Sequence, residues 1–417
     1  MEKANIEIER FKKKAMYYKK ALNLCPDARI LEVFNIISVL DGYVKDNELD
    51  KSSLCIVDLM SGDGYLTKYL HKAGFRNIHS FEACNEMSFN SENYNNSGIK
   101  LYSIPEILEI EKIICNLKPQ IVISLASFHH LIIHDKQEPK KVNTIESLNL
   151  QEKVIDICMR NLDDNGLLLI TDIYDNVESI EEYITSIPFW NTFDSSKLLY
   201  NTLNETEIST IKKSKNQSNF NSIIDEKFTK YSFRRNPSIN WFRQIVDKQT
   251  SIGHSDFAIN RSLIEYIKSN YIYRFSTFAC PWVFDNKGHL KNFLLNKFGF
   301  SIDDNSIISD NEVLKEADAI NGITDIQNNR VLFGWNLSMT ILSKTETIYK
   351  KKTNKKRTVF ILLLLLLILV INIVMNLSFK LYNKELIAIT NSLSLLLLGY
   401  LLPEAFSFIS KTIFNQK

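Results

Sequence analysis

Glycine, proline and cysteine are all scarce in this chain, at 12, 8 and 6 of 417 residues. Such low glycine and proline exclude a collagenous or low-complexity chain, and 45% hydrophobic with 24% charged residues excludes disorder over most of the length. The cysteines are scattered and never spaced CxxC, which excludes a disulfide scaffold and a zinc ribbon and suggests a reducing compartment. No apolar run follows Met1-Glu2-Lys3, so no secretory signal peptide is expected. No internal repeat is visible, and the formal net charge is only +2. That balance conceals a division. Residues 344–417 hold 11 Lys/Arg against 3 Asp/Glu, while the 343 residues before them hold 39 against 45. A mildly acidic body argues against a nucleic-acid surface, so no nucleic-acid partner is expected there.

Long hydrophobic runs are confined to the C-terminus. The 22 residues between Arg357 and Lys380 carry no charge. At 1.5 Å per residue they reach about 33 Å, against a hydrocarbon core of about 30 Å. A second uncharged run, Leu386–Pro403, reaches about 27 Å and is interrupted by Asn391, Gly399 and Pro403. Stripes apolar on every face are unusual for a helix in a soluble core. With the short link Ser378–Glu385 they predict a two-helix transmembrane hairpin over 358–410. The basic linker 346–357, with Lys350, Lys351, Lys352, Lys355, Lys356 and Arg357, places the body on the cytoplasmic side of a membrane protein with two spans. The same cluster is suited to anionic headgroups. The hairpin lacks the series of buried ionisable groups expected of a transporter. It reads as an anchor, with a homodimer contact as a further role.

The body reads in three parts. Helical spacing of Phe11, Ala15 and Tyr18, a break at Pro26 and a second run over Ile30–Leu40 predict an N-terminal helical cap over 1–50. From 51 to 345 short apolar runs alternate with helical stretches. Strands are expected at Leu54–Leu59, Ile78–Phe81, Ile99–Tyr102, Ile121–Leu125, Leu167–Ile170, Tyr271–Trp282 and Val331–Leu342. Helices are expected at Tyr65–Lys72, Met87–Asn95, Pro105–Leu117, Ile145–Asn161 and Arg261–Lys268. This alternation predicts an α/β fold with a doubly wound, mostly parallel sheet, and a ligand beyond the carboxyl ends of its strands. The polar stretch 187–250 lacks periodicity and reads as an inserted lid.

The chemistry begins after the first strand. Asp58-Leu59-Met60-Ser61-Gly62-Asp63-Gly64 joins a strand to a helix, and Gly62 and Gly64 allow a sharp turn and a close approach to a ligand. Glu82, ending the second strand, is placed to accept both ribose hydroxyls of an adenosine-bearing cofactor. A dinucleotide site would favour a third small residue where Thr67 stands. It would have little use for an acid such as Asp58 beside pyrophosphate. S-adenosylmethionine (AdoMet) carries a sulfonium cation and no phosphate, and fits an acid there better.

Residues 54–175 resemble the class I AdoMet-dependent methyltransferase core, small-molecule type. The Asp58–Gly64 run is similar to the family's first motif, with Met60 where glycine is usual. Glu82 matches its ribose-binding acid, Pro119–Leu131 its fourth strand and following loop, and Asn165–Asp172 its fifth strand. The resemblance implies a seven-stranded sheet completed by later strands, AdoMet as cofactor, and cofactor contacts from Asp58, Gly62, Asp63, Gly64, Glu82, Ser103 and Ser124. Ser103 stands where the family often has an aspartate for the adenine amino group.

Methyl transfer needs a positioned nucleophile, exclusion of water and sometimes a base. His129 and His130 are the candidate catalytic bases, since imidazole titrates near neutrality. His130 and His134 share one face if a helix follows the fourth strand, but no HExxH glutamate or third ligand is evident, so no metal is expected. Tyr17 and Tyr18 are candidates to fold over the cofactor, and His254 to reach the site from the lid side. Cys84 reads as an inert packed thiol. Phe233-Arg234-Arg235 and Trp241-Phe242-Arg243 read as solvated faces or as contacts to an anionic substrate or lipid surface. The place after the fourth strand lacks the Asn/Asp-Pro-Pro-Tyr/Phe run of enzymes that methylate bases in nucleic acid. The expected acceptor is therefore a small or lipid-like molecule at the cytoplasmic membrane face. The alternatives are a membrane-associated peptide or protein acceptor, and a non-catalytic AdoMet-binding regulatory module.

Overall fold

Ile56, Val57, Asp58 and Leu59 form a strand with every residue buried (β1, Ile56–Leu59), as a strand covered on both faces by helices must. The computed structural model describes residues 6–88, 98–104, 106–135, 138, 141–175, 236–300, 308–325 and 329–345. The chain divides into units Met1–Ile348 and Tyr349–Lys417, and all described residues belong to the first. The linker 346–357 and the expected hairpin 358–410 lie outside them. Among the described residues no helix is long and apolar enough to cross a membrane.

Around β1 strands and helices alternate: α1 (Ile6–Leu24), α2 (Ile30–Asp46), β1, α3 (Tyr65–Lys72), β2 (Ile78–Glu82), β3 (Ile99–Ser103), α4 (Ile110–Leu117), β4 (Ile121–Leu125), α5 (Thr144–Asn161) and β5 (Leu167–Asp172), while most of the helix expected at Met87–Asn95 lies outside the described residues. After the residues that are not described, α6 (Pro237–Trp241) continues through a π turn (Phe242–Val246) into α7 (Asp247–Thr250). Next come α8 (Arg261–Asn270), β6 (Ile272–Ala279), β7 (Trp282–Phe284), α9 (Lys287–Lys297), α10 (Val313–Ile320), β8 (Ile323–Asp325), β9 (Val331–Phe333) and β10 (Asn336–Ser343).

Seven strands make one sheet in the order β3-β2-β1-β4-β5-β10-β6. The pairings among β1 to β5 are parallel, and β10 runs antiparallel to both β5 and β6. The expected mostly parallel seven-stranded sheet is therefore present, and the final strand inserts beside β5. The order reverses between β1 and β4, so their carboxyl ends open the crevice where ligands of such sheets bind. One side of the sheet packs through Val57, Val122, Leu168 and Ile170 onto Ile110, Ile114, Val154, Ile155, Ile264 and Ile267 of α4, α5 and α8.

A second sheet, β7-β9-β8, was not expected. Its strands are three residues long, too short to show a period. It holds the N-terminal helices: Val283 N donates to Ala28 O at 2.9 Å, and Trp282 Nε1 to Glu32 Oε1 at 2.6 Å. Glu32 is fully buried and is paired with Arg29 at 2.5 Å. Trp241, Phe298, Phe333 and Trp335 pack around Trp282 or one another. Residues 237–250 of the stretch read as a lid are thus helical, with Trp241 completely buried. The remainder of that stretch, 187–235, lies outside the described residues.

Local capping explains where α5 starts. Asn143 accepts from the Glu146 backbone N–H at 3.1 Å, satisfying one of the orphan donors of the first turn. Asn143→Ala is expected to lower stability by about 1 kcal/mol, measured by urea unfolding, without affecting ligand binding.

Candidate active site

The loop after β1 is shaped by residues in the left-handed region: Met60 at φ +52°, Gly62 at +58° and Gly64 at +74°. Met60 stands in a conformation that glycine adopts freely and a side chain adopts at a cost of about 1 kcal/mol or more. This accounts physically for the glycine usual there in the resembled motif. Gly62 N donates to Glu82 Oε2 at 2.7 Å and Cys84 N to Glu82 Oε1 at 2.8 Å. Each oxygen keeps a lone pair for another donor, so Glu82 both ties the loop to β2 and remains able to accept two hydroxyls. Burial raises its carboxyl above the usual range, against the pull of those backbone N–H groups.

Asp58 lies beneath the loop, 1% exposed, with Thr67 Oγ1 donating to it at 2.6 Å. Thr67, the residue that departs from a dinucleotide fingerprint, is therefore a partner of the acid. Burial pushes the Asp58 carboxyl up to about 7, and neighbouring Glu82 and Asp63 act in the same direction. Cys84 is pushed up to about 11 by burial, in keeping with an inert thiol.

The opposite wall comes from the ends of β4 and β5. Ala126, at φ +51°, turns the chain after β4, and Phe128–His130 form one 3-10 turn rather than a helix. His134 then sits in a bridge with Val142, which corrects the expectation that His130 and His134 share a helical face. The turn delivers His129 to Asp172 at the end of β5. Asp172 Oδ2 accepts from the His129 backbone N–H at 2.9 Å, and Oδ1 accepts from Nδ1 at 2.7 Å. Both side chains are almost completely buried. A carboxylate can only accept, so Nδ1 carries a proton and, in the neutral imidazole, Nε2 presents a lone pair. Nε2 is buried without a hydrogen-bond partner.

One cavity of about 240 Å³ joins these pieces. It is lined by Asp58, Met60, Gly62, Asp63 and Glu82 on one side and by Ser127, His129 and His130 on the other. Phe242 and Val246, one helical turn apart in the π segment, also line it. The roof comes from α1, with Glu7, Arg10, Phe11 and Tyr18. Tyr18 accepts from Arg29 at 3.0 Å and from Lys297 at 3.2 Å, and all three line the cavity near Asp63. Burial, then Arg29, holds the Lys297 ammonium well below its ordinary range. Asp63 is raised by burial while Arg29 and Lys297 pull it down.

The predicted residues divide accordingly. Asp58, Gly62, Asp63, Glu82, His129 and His130 line the cavity, as do Tyr18 and His254. Gly64 caps α3 from the left-handed region instead. Ser124 is buried with its hydroxyl 3.1 Å from Ser127, which does line the cavity. Ser103 is bonded to Asn85 at 2.6 Å on the exposed side of β3 and is not brought to the wall. Tyr17 is likewise not in the wall. Glu7, Arg10, Arg29 and Lys297 went unrecognised. They come from α1, the turn before α2, and α9, and nothing in their local sequence marks them. Asp172 had a signal, an acid at the carboxyl end of a central strand.

No protein-family model matches the chain, and no curated protein matches it. Solved structures do. The plantazolicin methyltransferase BamL, in complex with a triazolic desmethylPZN analog and SAH, is 8% identical, with 82% of this chain and 98% of that one covered and a TM-score of 0.35. The YcgJ protein from Bacillus subtilis is 11% identical over 74% of this chain and 99% of its own, with a TM-score of 0.33. Magnesium protoporphyrin IX methyltransferase (ChlM) from Synechocystis PCC 6803, with bound SAM, is 15% identical over 41% and 76%, with a TM-score of 0.28.

Proposed function

We propose that this chain is an AdoMet-dependent methyltransferase acting on a small or lipid-like acceptor at the cytoplasmic face of a membrane, to which the hairpin 358–410 anchors it. The observation that carries the reading is that one cavity, at the reversal point of the sheet, is lined both by the Glu82 carboxylate and by an imidazole oriented by a buried acid.

The residues present fit the cofactor. The Glu82 oxygens retain lone pairs for ribose hydroxyls, the loop at Gly62 leaves room for close approach, and Arg29 and Lys297 offer cations for an amino-acid carboxylate beside Asp63. When bound, AdoMet supplies a methyl group already activated by its sulfonium. The chain then has three tasks. Phe242, Val246, Leu131 and Ile132 keep the acceptor side apolar and exclude water. His129 Nε2 takes the proton of the acceptor's nucleophile. Asp172 fixes the tautomer that makes this possible and stabilises the imidazolium that results. The anchoring rests on the two uncharged runs and the basic linker of the sequence. It raises the local concentration of a lipophilic acceptor.

The test is isothermal titration of AdoMet and its demethylated product into the full-length protein in detergent, beside Glu82→Ala. Leaving ribose hydroxyls unpaired costs about 1–3 kcal/mol, so affinity is expected to fall roughly 5- to 150-fold. No binding by the folded wild-type protein would sink the reading. Tight binding with no methyl transferred to phenols, amines or membrane extracts would favour the regulatory-module alternative.

A further inference from the structure

Three of the seven histidines and one glutamate line the acceptor end of the cavity, and a fourth histidine lies beside it. Glu7 comes from α1, His130 from the turn after β4, and His254 from a 3-10 turn (His254–Phe257) before α8. His129 and His134 adjoin them. We infer that Glu7, His130 and His254 form a site for one divalent transition-metal ion.

The distances are the first argument. His130 Nδ1 lies 3.5 Å and His254 Nε2 3.4 Å from the same oxygen of Glu7. Those separations exceed a good N–H···O hydrogen bond, which prefers about 2.7–3.2 Å. They match two donor atoms that share an ion, since ligand bonds of about 2.0–2.1 Å at a tetrahedral angle place donors roughly 3.3 Å apart. All three donor atoms lie within 4.8 Å of one another. His130 Nδ1 is buried with no hydrogen-bond partner.

The surroundings are the second. Asp247 Oδ1 accepts from the His254 backbone N–H at 2.9 Å, which fixes the turn that carries this ligand. Arg10 donates to Glu7 at 2.6 Å, which holds the carboxylate in place. Two imidazoles and a carboxylate select an ion of the zinc or iron(II) class rather than magnesium or calcium.

Three protein ligands would leave at least one position open, and all three line the cavity together with His129, whose ring centre is 4.0 Å from that of His130. An acceptor hydroxyl bound there becomes more acidic and yields its proton to His129 Nε2, leaving the oxygen ready to form the new O–CH3 bond as the S–CH3 bond breaks. This role rests on the methyltransferase reading, whereas the ion site does not. The acceptor class it implies is an oxygen nucleophile.

The test uses the full-length protein in detergent, freed of affinity tag and stripped with chelator. Titration with Co2+, followed by visible absorption, should show one equivalent bound. Glu7→Gln and His254→Asn should each weaken it tenfold or more while leaving AdoMet affinity within about threefold, which also shows that the variants fold. In unsubstituted protein, Zn2+ should protect the partly exposed His130 from diethyl pyrocarbonate and leave the half-exposed His289 reactive. Substoichiometric binding, binding indifferent to both substitutions, or absence of protection would each overturn the site. Stoichiometric metal without AdoMet binding would keep the site and remove its role.

Discussion

Replacing His129 by alanine is expected to lower methyl transfer by two to four orders of magnitude, the usual contribution of a positioned base. AdoMet affinity should stay within a few-fold, because the imidazole faces the acceptor rather than the loop that holds Glu82. The more telling variant is Asp172→Asn, which keeps the histidine. Asp172 accepts three N–H groups, from the His129 backbone, His129 Nδ1 and Ile173. An asparagine offers one oxygen and two donors of its own. Its amide then donates to Nδ1, the proton moves to Nε2, and the atom that must accept a proton can no longer do so. Turnover should fall as far as in His129→Ala, and the double variant should be no slower than either, because the two residues act as a unit. The measurement is transfer of tritium from methyl-labelled AdoMet to a solvent extract of membranes. Added imidazole should partly rescue His129→Ala and not Asp172→Asn, a difference that mere loss of folding would not produce. Full activity in Asp172→Asn would remove the dyad from the mechanism.

The parts of this site that the sequence announces are those whose chemistry and backbone geometry are set locally. Asp58, Gly62 and Glu82 are legible because strand, turn and helix follow one another within some 25 residues, and because the strand period and a left-handed turn leave marks in composition. His129 was visible as an imidazole at the end of β4, but its partner came from β5, 43 residues on, and only pairing of β4 with β5 brings them together. Glu7 and Lys297 were not legible. Each lies on a helix whose sequence shows charges at ordinary spacing, and only tertiary packing turns them into the cavity. The small sheet escaped for another reason. Three-residue strands have no measurable period, and α9 carries Phe293, Leu294 and Leu295 in succession, so its buried side is not marked by spacing. The π turn at Phe242–Val246 is similarly invisible, although it brings Phe242 and Val246 to the same wall.

Asp58 carries a second large effect, on stability as a function of pH. Its carboxyl is raised to about 7 by burial in the folded protein, against about 3.9 in an unfolded chain. Between those values the folded state holds a proton that the unfolded state has released, so this group makes stability fall as pH rises through the window. Three units correspond to about 4 kcal/mol at most, fully expressed only above pH 7. Asp58→Asn retains an acceptor for Thr67 and removes the ionisation. Its melting temperature should therefore exceed that of the wild type by a margin that grows from pH 5 to pH 8, with little difference at pH 4. The same variant should lose charge discrimination. An ionised Asp58 near the cofactor favours a sulfonium cation over the neutral thioether of the product, so the wild-type preference for AdoMet should increase as pH rises through 7. That preference should be flat with pH in Asp58→Asn. Parallel melting curves for the two proteins across the range would show that the acid is already ionised in the free protein, and with it that the folded state bears no cost for holding a negative charge where the cofactor's positive charge is to sit.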